Sequence, residues 1–122
     1  MTSSEKSNTD NAYFEAAVSY INANYHSRLT VEDIASYVGI SRKYLFALFK
    51  DNIGMSIHQY ITKKRLNLCR EAINGKMSIT EAYHLFGFGE YSSFYRAFKK
   101  EYGISPKDYR DMQIDLDIEE SE

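Results

Sequence analysis

FALFKDNIGMSIHQY at residues 46–60 and YRAFKKEYGISPKDY at residues 95–109 decide the fold. Set against each other, they pair Phe49 with Phe98, Lys50 with Lys99, Gly54 with Gly103, Ser56 with Ser105 and Tyr60 with Tyr109, always 49 positions apart. Upstream, Thr30 and Gly39 match Ser78 and Gly87 at an offset of 48, so the second copy carries one inserted residue. A fixed period of this size marks a duplicated supersecondary unit. Two copies do not make a solenoid, which needs about three or more. A tandem pair that reads two neighbouring stretches of a long polymer is the better expectation.

Working outward, every repeated signal is a helix start or a helix stop. Thr30 caps a short helix predicted over 31–38, with Glu32 and Asp33 in the first turn where the dipole favours acids. Gly39 ends it, and Ser41 caps a helix over 42–52 with Leu45, Leu48 and Phe49 inward. Helix, glycine-bearing turn and helix together form the helix-turn-helix pattern. Gly54 stops that pair, and Ser56 opens a long helix over 57–75 whose stripe is Ile57, Ile61, Leu68, Ala72 and Ile73. Its length of roughly 28 Å follows from 1.5 Å per residue. The second copy repeats the plan. Ser78 caps a helix over 79–86, Gly87 and Gly89 make the turn, and a helix over 91–102 ends at Gly103. Ser105-Pro106 starts a last short helix through Arg110, with proline at the first helical position. Before all of these, Phe14, Ala17, Val18, Ile21 and Tyr25 make one apolar face of a helix over 12–25, capped by Asp10 or Asn11.

The expected fold is therefore all-α, with about seven helices: two helix-turn-helix lobes joined by a long linker helix. Lobe one occupies about 11–55, the linker helix 57–75 and lobe two 77–110. Residues 1–10 read as a disordered leader or linker. Residues 111–122 alternate Ile114, Leu116 and Ile118 with acids and read as a flexible acidic tail, or else as a partner-binding or self-masking segment.

The net charge of −2 hides an uneven distribution. Between Asn11 and Arg110 there are 14 basic and 9 acidic residues, a surplus of five, whereas residues 111–122 alone carry six acids. The folded part is thus moderately basic, which suits a polyanionic partner. One cysteine, Cys69, rules out an internal disulfide framework and packs best as a small hydrophobe. His26, His58 and His84 are scattered without metal-ligand spacing, so no metal or other cofactor is expected and no catalytic site is nominated. No apolar run approaches the roughly 20 residues of a membrane span, and residues 2–11 have no signal-peptide core. A cytoplasmic protein without a membrane partner is expected.

In a helix-turn-helix pair, the start of the second helix enters the major groove of duplex DNA. On the helix over 42–52, Lys43, Phe46, Ala47 and Lys50 share the face opposite the apolar one. On the helix over 91–102, that face carries Tyr91, Ser92, Tyr95, Arg96 and Lys99. Arg96 suits a bidentate contact to guanine O6 and N7. Lys43 suits the same or a phosphate, Tyr95 and Phe46 suit a thymine methyl or a sugar, and Ala47 offers only a methyl. Phosphate contacts need donors at helix starts and cations on the flanks, for which Thr30, Ser41, Arg42, Lys50, Ser78, Lys99 and Lys100 are the candidates. The bland alternative for these faces is ordinary solvation. The cluster Lys63, Lys64 and Arg65 reads as solvated, with Arg65 open to pairing with an acid.

Three segments carry a family resemblance: LTVEDIASYVGISRKYLFALFK, ITKKRLNLCREAI and above all GFGEYSSFYRAFKKEYGISPKDYR. In them, Gly87, Phe88, Phe94, Phe98, Lys99, Gly103, Pro106, Tyr109 and Arg110 stand where the pattern of the AraC/XylS family of bacterial transcription regulators expects them. Over about residues 12–110 the chain resembles the DNA-binding domain of that family. The resemblance implies two recognition helices in adjacent major grooves on one face of double-stranded DNA, which agrees with a groove spacing of about 34 Å. By family position, the base-facing residues are Lys43, Phe46 and Ala47 in the first unit and Tyr91, Ser92, Tyr95 and Arg96 in the second. It further implies a sequence-specific activator that works with RNA polymerase, often attached to an N-terminal effector-binding domain, in the bacterial cytoplasm at the nucleoid. The isolated domain is expected to be monomeric, since two lobes supply both half-sites.

Three features depart from the family pattern. Ala82-Tyr83 replaces the usual Ile-Ala, so Tyr83 must find room between two helices. Glu90 stands at the cap of the second recognition helix, a weaker cap than Asp or Ser by about 1 kcal/mol. Cys69 replaces a usual alanine. With the overall acidity and Ala47, Tyr83 and Glu90 also support the alternative of a helical protein-interaction module that keeps the fold with weak or lost DNA binding.

Overall fold

A computed structural model describes the backbone of residues 8–120 and the side chains of residues 8–116. Among the described residues there are seven helices and no strand: α1 (Asn8–Asn24), α2 (Val31–Val38), α3 (Arg42–Ile53), α4 (Ile57–Asn74), α5 (Ile79–Leu85), α6 (Tyr91–Tyr102) and α7 (Pro106–Glu120). The all-α expectation holds.

The punctuation acts as its chemistry requires. The Thr30 hydroxyl accepts from the Asp33 N–H at 3.0 Å, and the Ser41 hydroxyl accepts from Tyr44 N–H at 3.1 Å. Ser56 and Gln59 cap reciprocally: Ser56 Oγ accepts the Gln59 N–H at 3.1 Å and Gln59 Oε1 accepts the Ser56 N–H at 3.0 Å. Gly54 and Gly103 leave α3 and α6 at φ +70° and +74°, a left-handed backbone that side chains with a Cβ resist. In the second turn Gly87 has φ +95°, while Gly89 is not among the positive-φ glycines, so one glycine rather than two carries that turn.

Ser78 has a double role at the start of α5. Its Oγ accepts from the Glu81 N–H at 3.1 Å and donates to Glu81 Oε1 at 2.9 Å. Replacing Ser78 by Ala is expected to cost about 1 kcal/mol, read as a lowered urea midpoint at unchanged slope. Ser78→Asp, which still caps, should recover most of that loss.

Two expectations at the ends need correction. Asn8–Asp10 are helical rather than part of a disordered leader, and residues 1–7 lie outside the described residues. Asp10 is not the cap of α1 but lies in its first turn, where its carboxylate accepts the Tyr44 hydroxyl from α3. At the other end, α7 does not stop at Arg110 but continues to Glu120, so the tail through that residue is helical. Ser105 Oγ caps it at the Asp108 N–H (3.1 Å), and a nucleated helix extends cheaply through good formers such as Met112, Gln113 and Leu116. No buried stripe is needed: Met112, Ile114 and Leu116 stay exposed. Residues 121–122 lie outside the described residues.

The chain divides into two compact units within α4, between Ile61 and Thr62. In the first unit Ala17 and Ile21 of α1, Val31, Ile34 and Ala35 of α2, Leu45 and Phe49 of α3, and Ile57 and Ile61 of α4 form the core. Phe14 meets Phe49 edge-on at 5.0 Å. In the second unit Leu66, Cys69 and Ile73 of α4 pack with Ala82 and Tyr83 of α5 and Phe94 and Phe98 of α6. The single stripe drawn through Ile57, Ile61 and Leu68 is therefore incorrect. Leu68 is only half-buried, and the second core takes Leu66, Cys69 and Ile73, a stripe of its own at i, i+3 and i+7. Burial pushes the Cys69 thiol up to about 12 against the opposing pull of Arg65, so it packs as a thiol and not as a reactive thiolate. Arg65 itself is lowered by burial.

Candidate nucleic-acid interface

Each unit buries one face of its second helix and leaves the other in solvent. On α3, Leu45, Leu48 and Phe49 are buried, while Lys43, Ala47 and Lys50 are exposed. Phe46 is half-buried against the first core, with the His58 ring at 6.2 Å. The Arg42 guanidinium lies 5.6 Å above the Phe46 ring, and its Nε is 3.2 Å from Glu32 Oε2. Arg42 is thus engaged within its own unit. Phe46 is therefore only partly open to a partner.

On α6, Phe94 and Phe98 are buried, and Ser92, Arg96, Lys99 and Lys100 are exposed. Tyr91 is 43% exposed, and Tyr95 is half-buried with its ring 5.9 Å from that of Tyr91. Lys99 Nζ sits 6.0 Å from the Tyr95 ring centroid, within the range of a cation–π contact. Ser92, Arg96 and Lys99 follow one another at four and three residues, so they stack along one helix face.

Some of the cations are already paired and others are not. Arg42 pairs with Glu32, Lys63 with Glu101 at 3.5 Å and Arg110 with Asp111 at 3.5 Å. Among the described residues, Lys43 and Lys50 on α3 and Arg96, Lys99 and Lys100 on α6 have no carboxylate within ion-pair distance. Cations left unpaired on one solvated helix face remain available to an incoming anion.

The cap hydroxyls differ among themselves. Thr30 and Ser41 each accept one backbone N–H and keep their own hydrogen to donate. Ser78 spends its hydrogen on the Glu81 carboxylate, which also sets a negative charge beside it. Two side chains make contacts that the sequence reading did not anticipate. Tyr44, at the third position of α3, donates to Asp10 and meets Tyr13 edge-on at 5.7 Å. Tyr83, expected only to crowd its neighbours, stacks on Phe94 at an interplanar angle of 20°. Glu90 behaves as expected and makes no side-chain cap.

A family model described as a helix-turn-helix domain matches residues 34–112, which covers α3 through α6 and most of α2. A transcriptional regulator from Chromobacterium violaceum, described as containing an AraC-type DNA-binding domain, superimposes with a TM-score of 0.76 at 30% identity, over 88% of this chain and 96% of that one. The chain belongs to the AraC/XylS family. It is an AraC-type DNA-binding domain of the helix-turn-helix class. Two curated relatives are similar over most of this chain. The Msm operon regulatory protein of Streptococcus mutans is 34% identical over 107 residues, 87% of this chain and 38% of that protein. The lactose operon transcription activator of Staphylococcus xylosus is 35% identical over 101 residues, 82% of this chain and 36% of its own length. Across the curated relatives it matches, the chain spans 28–40% of their length. Among the described residues, no helix is long and apolar enough to cross a membrane and no group of three potential metal ligands occurs.

Proposed function

We propose that this AraC/XylS-type domain reads double-stranded DNA sequence-specifically, with α3 and α6 entering adjacent major grooves, and that it activates transcription. The observation that carries this reading is the row of unpaired cations and polar groups on the outer face of α6: Ser92, Arg96 and Lys99, flanked by Tyr91 and Tyr95. Arg96 reads a guanine edge, and Tyr95 and Tyr91 lie against sugars or a thymine methyl. On α3, Lys43 reads a base or holds a phosphate, and Ala47 and the half-buried Phe46 supply apolar contact. Lys50, Lys99 and Lys100 contact phosphates, together with the hydroxyls of Thr30 and Ser41. Arg42 and Ser78 add less, because their polar groups already have partners within the unit.

RNA polymerase is the proposed protein partner, and the nucleoid in the cytoplasm is the proposed place of action. The activator direction follows the relative named as a lactose operon activator. An effector-binding domain on the N-terminal side is proposed as the source of the signal, in keeping with relatives that are longer than the matched region. The 122-residue chain is proposed to be monomeric.

Selection from a pool of random duplexes at two salt concentrations tests the reading. The expected result is a motif with two blocks separated by about one helical turn. Retention that falls steeply with salt and enriches nothing would leave phosphate contacts alone. A chain retained by no duplex would instead be the protein-interaction module.

A further inference from the structure

The second recognition helix starts without the device that starts its neighbours. In α2, α3, α4, α5 and α7 a side-chain oxygen of Thr30, Ser41, Ser56, Ser78 or Ser105 accepts a first-turn N–H. At α6 the cap position is Glu90, whose side chain accepts nothing. Its carbonyl accepts from the Phe94 N–H at 3.3 Å, against 3.0 Å for the Leu45 N–H to Ser41 bond at the start of α3. An uncapped first turn frays, because its orphan N–H groups lack a fixed partner. Yet this turn carries Tyr91 and Ser92 and leads directly to Tyr95 and Arg96.

What holds the turn is aromatic. Tyr83 of α5 is 9% exposed, and its ring stacks on Phe94 at 5.6 Å and 20°. The same ring lies 5.7 Å from Tyr91, the first residue of α6. Tyr83 is itself fixed: its carbonyl accepts the Phe88 N–H at 2.9 Å, which closes the turn around Gly87. Phe88 also meets Phe94 edge-on, at 5.3 Å. Offset and edge-on ring pairs at these distances are directional, so they set an angle as well as burying area.

We propose that Tyr83 is a positioning residue for DNA recognition: its ring substitutes for a helix cap and sets the angle at which α6 presents Tyr91, Tyr95 and Arg96. The inference rests on the reading of α6 as a base-reading helix. Tyr83 touches no base itself. It fixes the first turn from behind, and losing it lets Arg96 sample orientations in which a two-pronged contact fails.

The test uses the whole 122-residue chain as wild type, Tyr83→Ala, Tyr83→Leu, Tyr83→Phe and Tyr83→Ala with Glu90→Asp. Each is put through the random-duplex selection, and amide hydrogen exchange is followed in the free protein. In Tyr83→Ala and Tyr83→Leu, a preference of tenfold or more in the block read by α6 should fall to less than about threefold, with the other block unchanged. Exchange at the Phe94, Tyr95 and Arg96 amides should rise by about tenfold in the same variants. Tyr83→Phe, which keeps the ring, should match wild type on both measures. Glu90→Asp, by restoring a cap, should recover part of both losses. Tyr83→Leu retains enough buried volume to serve if Tyr83→Ala does not fold. Unchanged exchange at α6 and an unchanged motif in a folded Tyr83→Leu would overturn the inference. A wild-type chain that enriches no motif would overturn the base-reading assignment instead, and the exchange data would still decide whether Tyr83 holds the turn.

Discussion

Phe98→Ala is expected to destabilise the protein by about 3–5 kcal/mol and to abolish DNA binding at 37 °C. Phe98 is fully buried, and its ring meets Phe94 at 5.5 Å, Tyr102 at 4.6 Å and Tyr109 at 5.7 Å. Removing the ring leaves a cavity walled by three other aromatics, which are too stiff to collapse into it. Two of them are also tethered by their hydroxyls: Tyr102 donates to Asn67 at 2.7 Å and Tyr109 to Asn74 at 2.8 Å. Arg70, 4.9 Å over the Tyr102 ring, adds a further restraint. Small domains have about 5–15 kcal/mol in all, so a loss of this size approaches the whole. Urea denaturation followed by helical circular dichroism measures it. A loss below about 1 kcal/mol would mean that the aromatic cluster relaxes far more than close packing allows.

Arg96→Ala should leave that denaturation curve almost unchanged, because Arg96 is exposed and has no ion pair among the described residues. Binding to the selected duplex should weaken by about 1–3 kcal/mol, and the preference at one base pair should relax. Lys99→Ala makes the informative contrast. A phosphate contact carries no sequence information, so its loss should weaken every duplex alike and lower the salt slope by about one. Titrations of both variants against cognate and single-base-changed duplexes, at two salt concentrations, separate the two roles. An Arg96→Ala variant that weakened all duplexes equally would move Arg96 to the phosphate group.

The helical plan and the faces of α3 and α6 were legible along the chain because their determinants are local. A serine or threonine that caps a helix reaches an N–H only three residues on, as Thr30, Ser41 and Ser78 do. A glycine that ends one acts through its own φ, as Gly39 and Gly103 do. The apolar spacing of Leu45, Leu48 and Phe49, repeated by Phe94 and Phe98, already separates a buried from a solvated face. The duplicated pattern gave the family resemblance for the same reason.

What stayed hidden depends on partners distant in sequence. Arg42 looked like a free cation until Glu32, ten residues earlier, came within 3.2 Å of it. Asp10 looked like a cap until Tyr44, 34 residues later, donated to its carboxylate. The apolar spacing of α4 allowed Leu68, but the second core took Leu66, since burial goes to whichever side chain a neighbouring element covers. Helix α7 runs past Arg110 because a capped helix extends without a stripe to announce it. Tyr83 read as an obstacle and proves to be the stacking partner of Phe94. Sequence alone thus determined, to within a residue, where α2 through α6 begin and end and which face of α3 and α6 meets solvent, since those depend on residues three or four apart. Only the tertiary structure decided which cations on those faces are unpaired among the described residues and which rings stack at the start of α6, because pairing and stacking depend on distances that close when the chain folds.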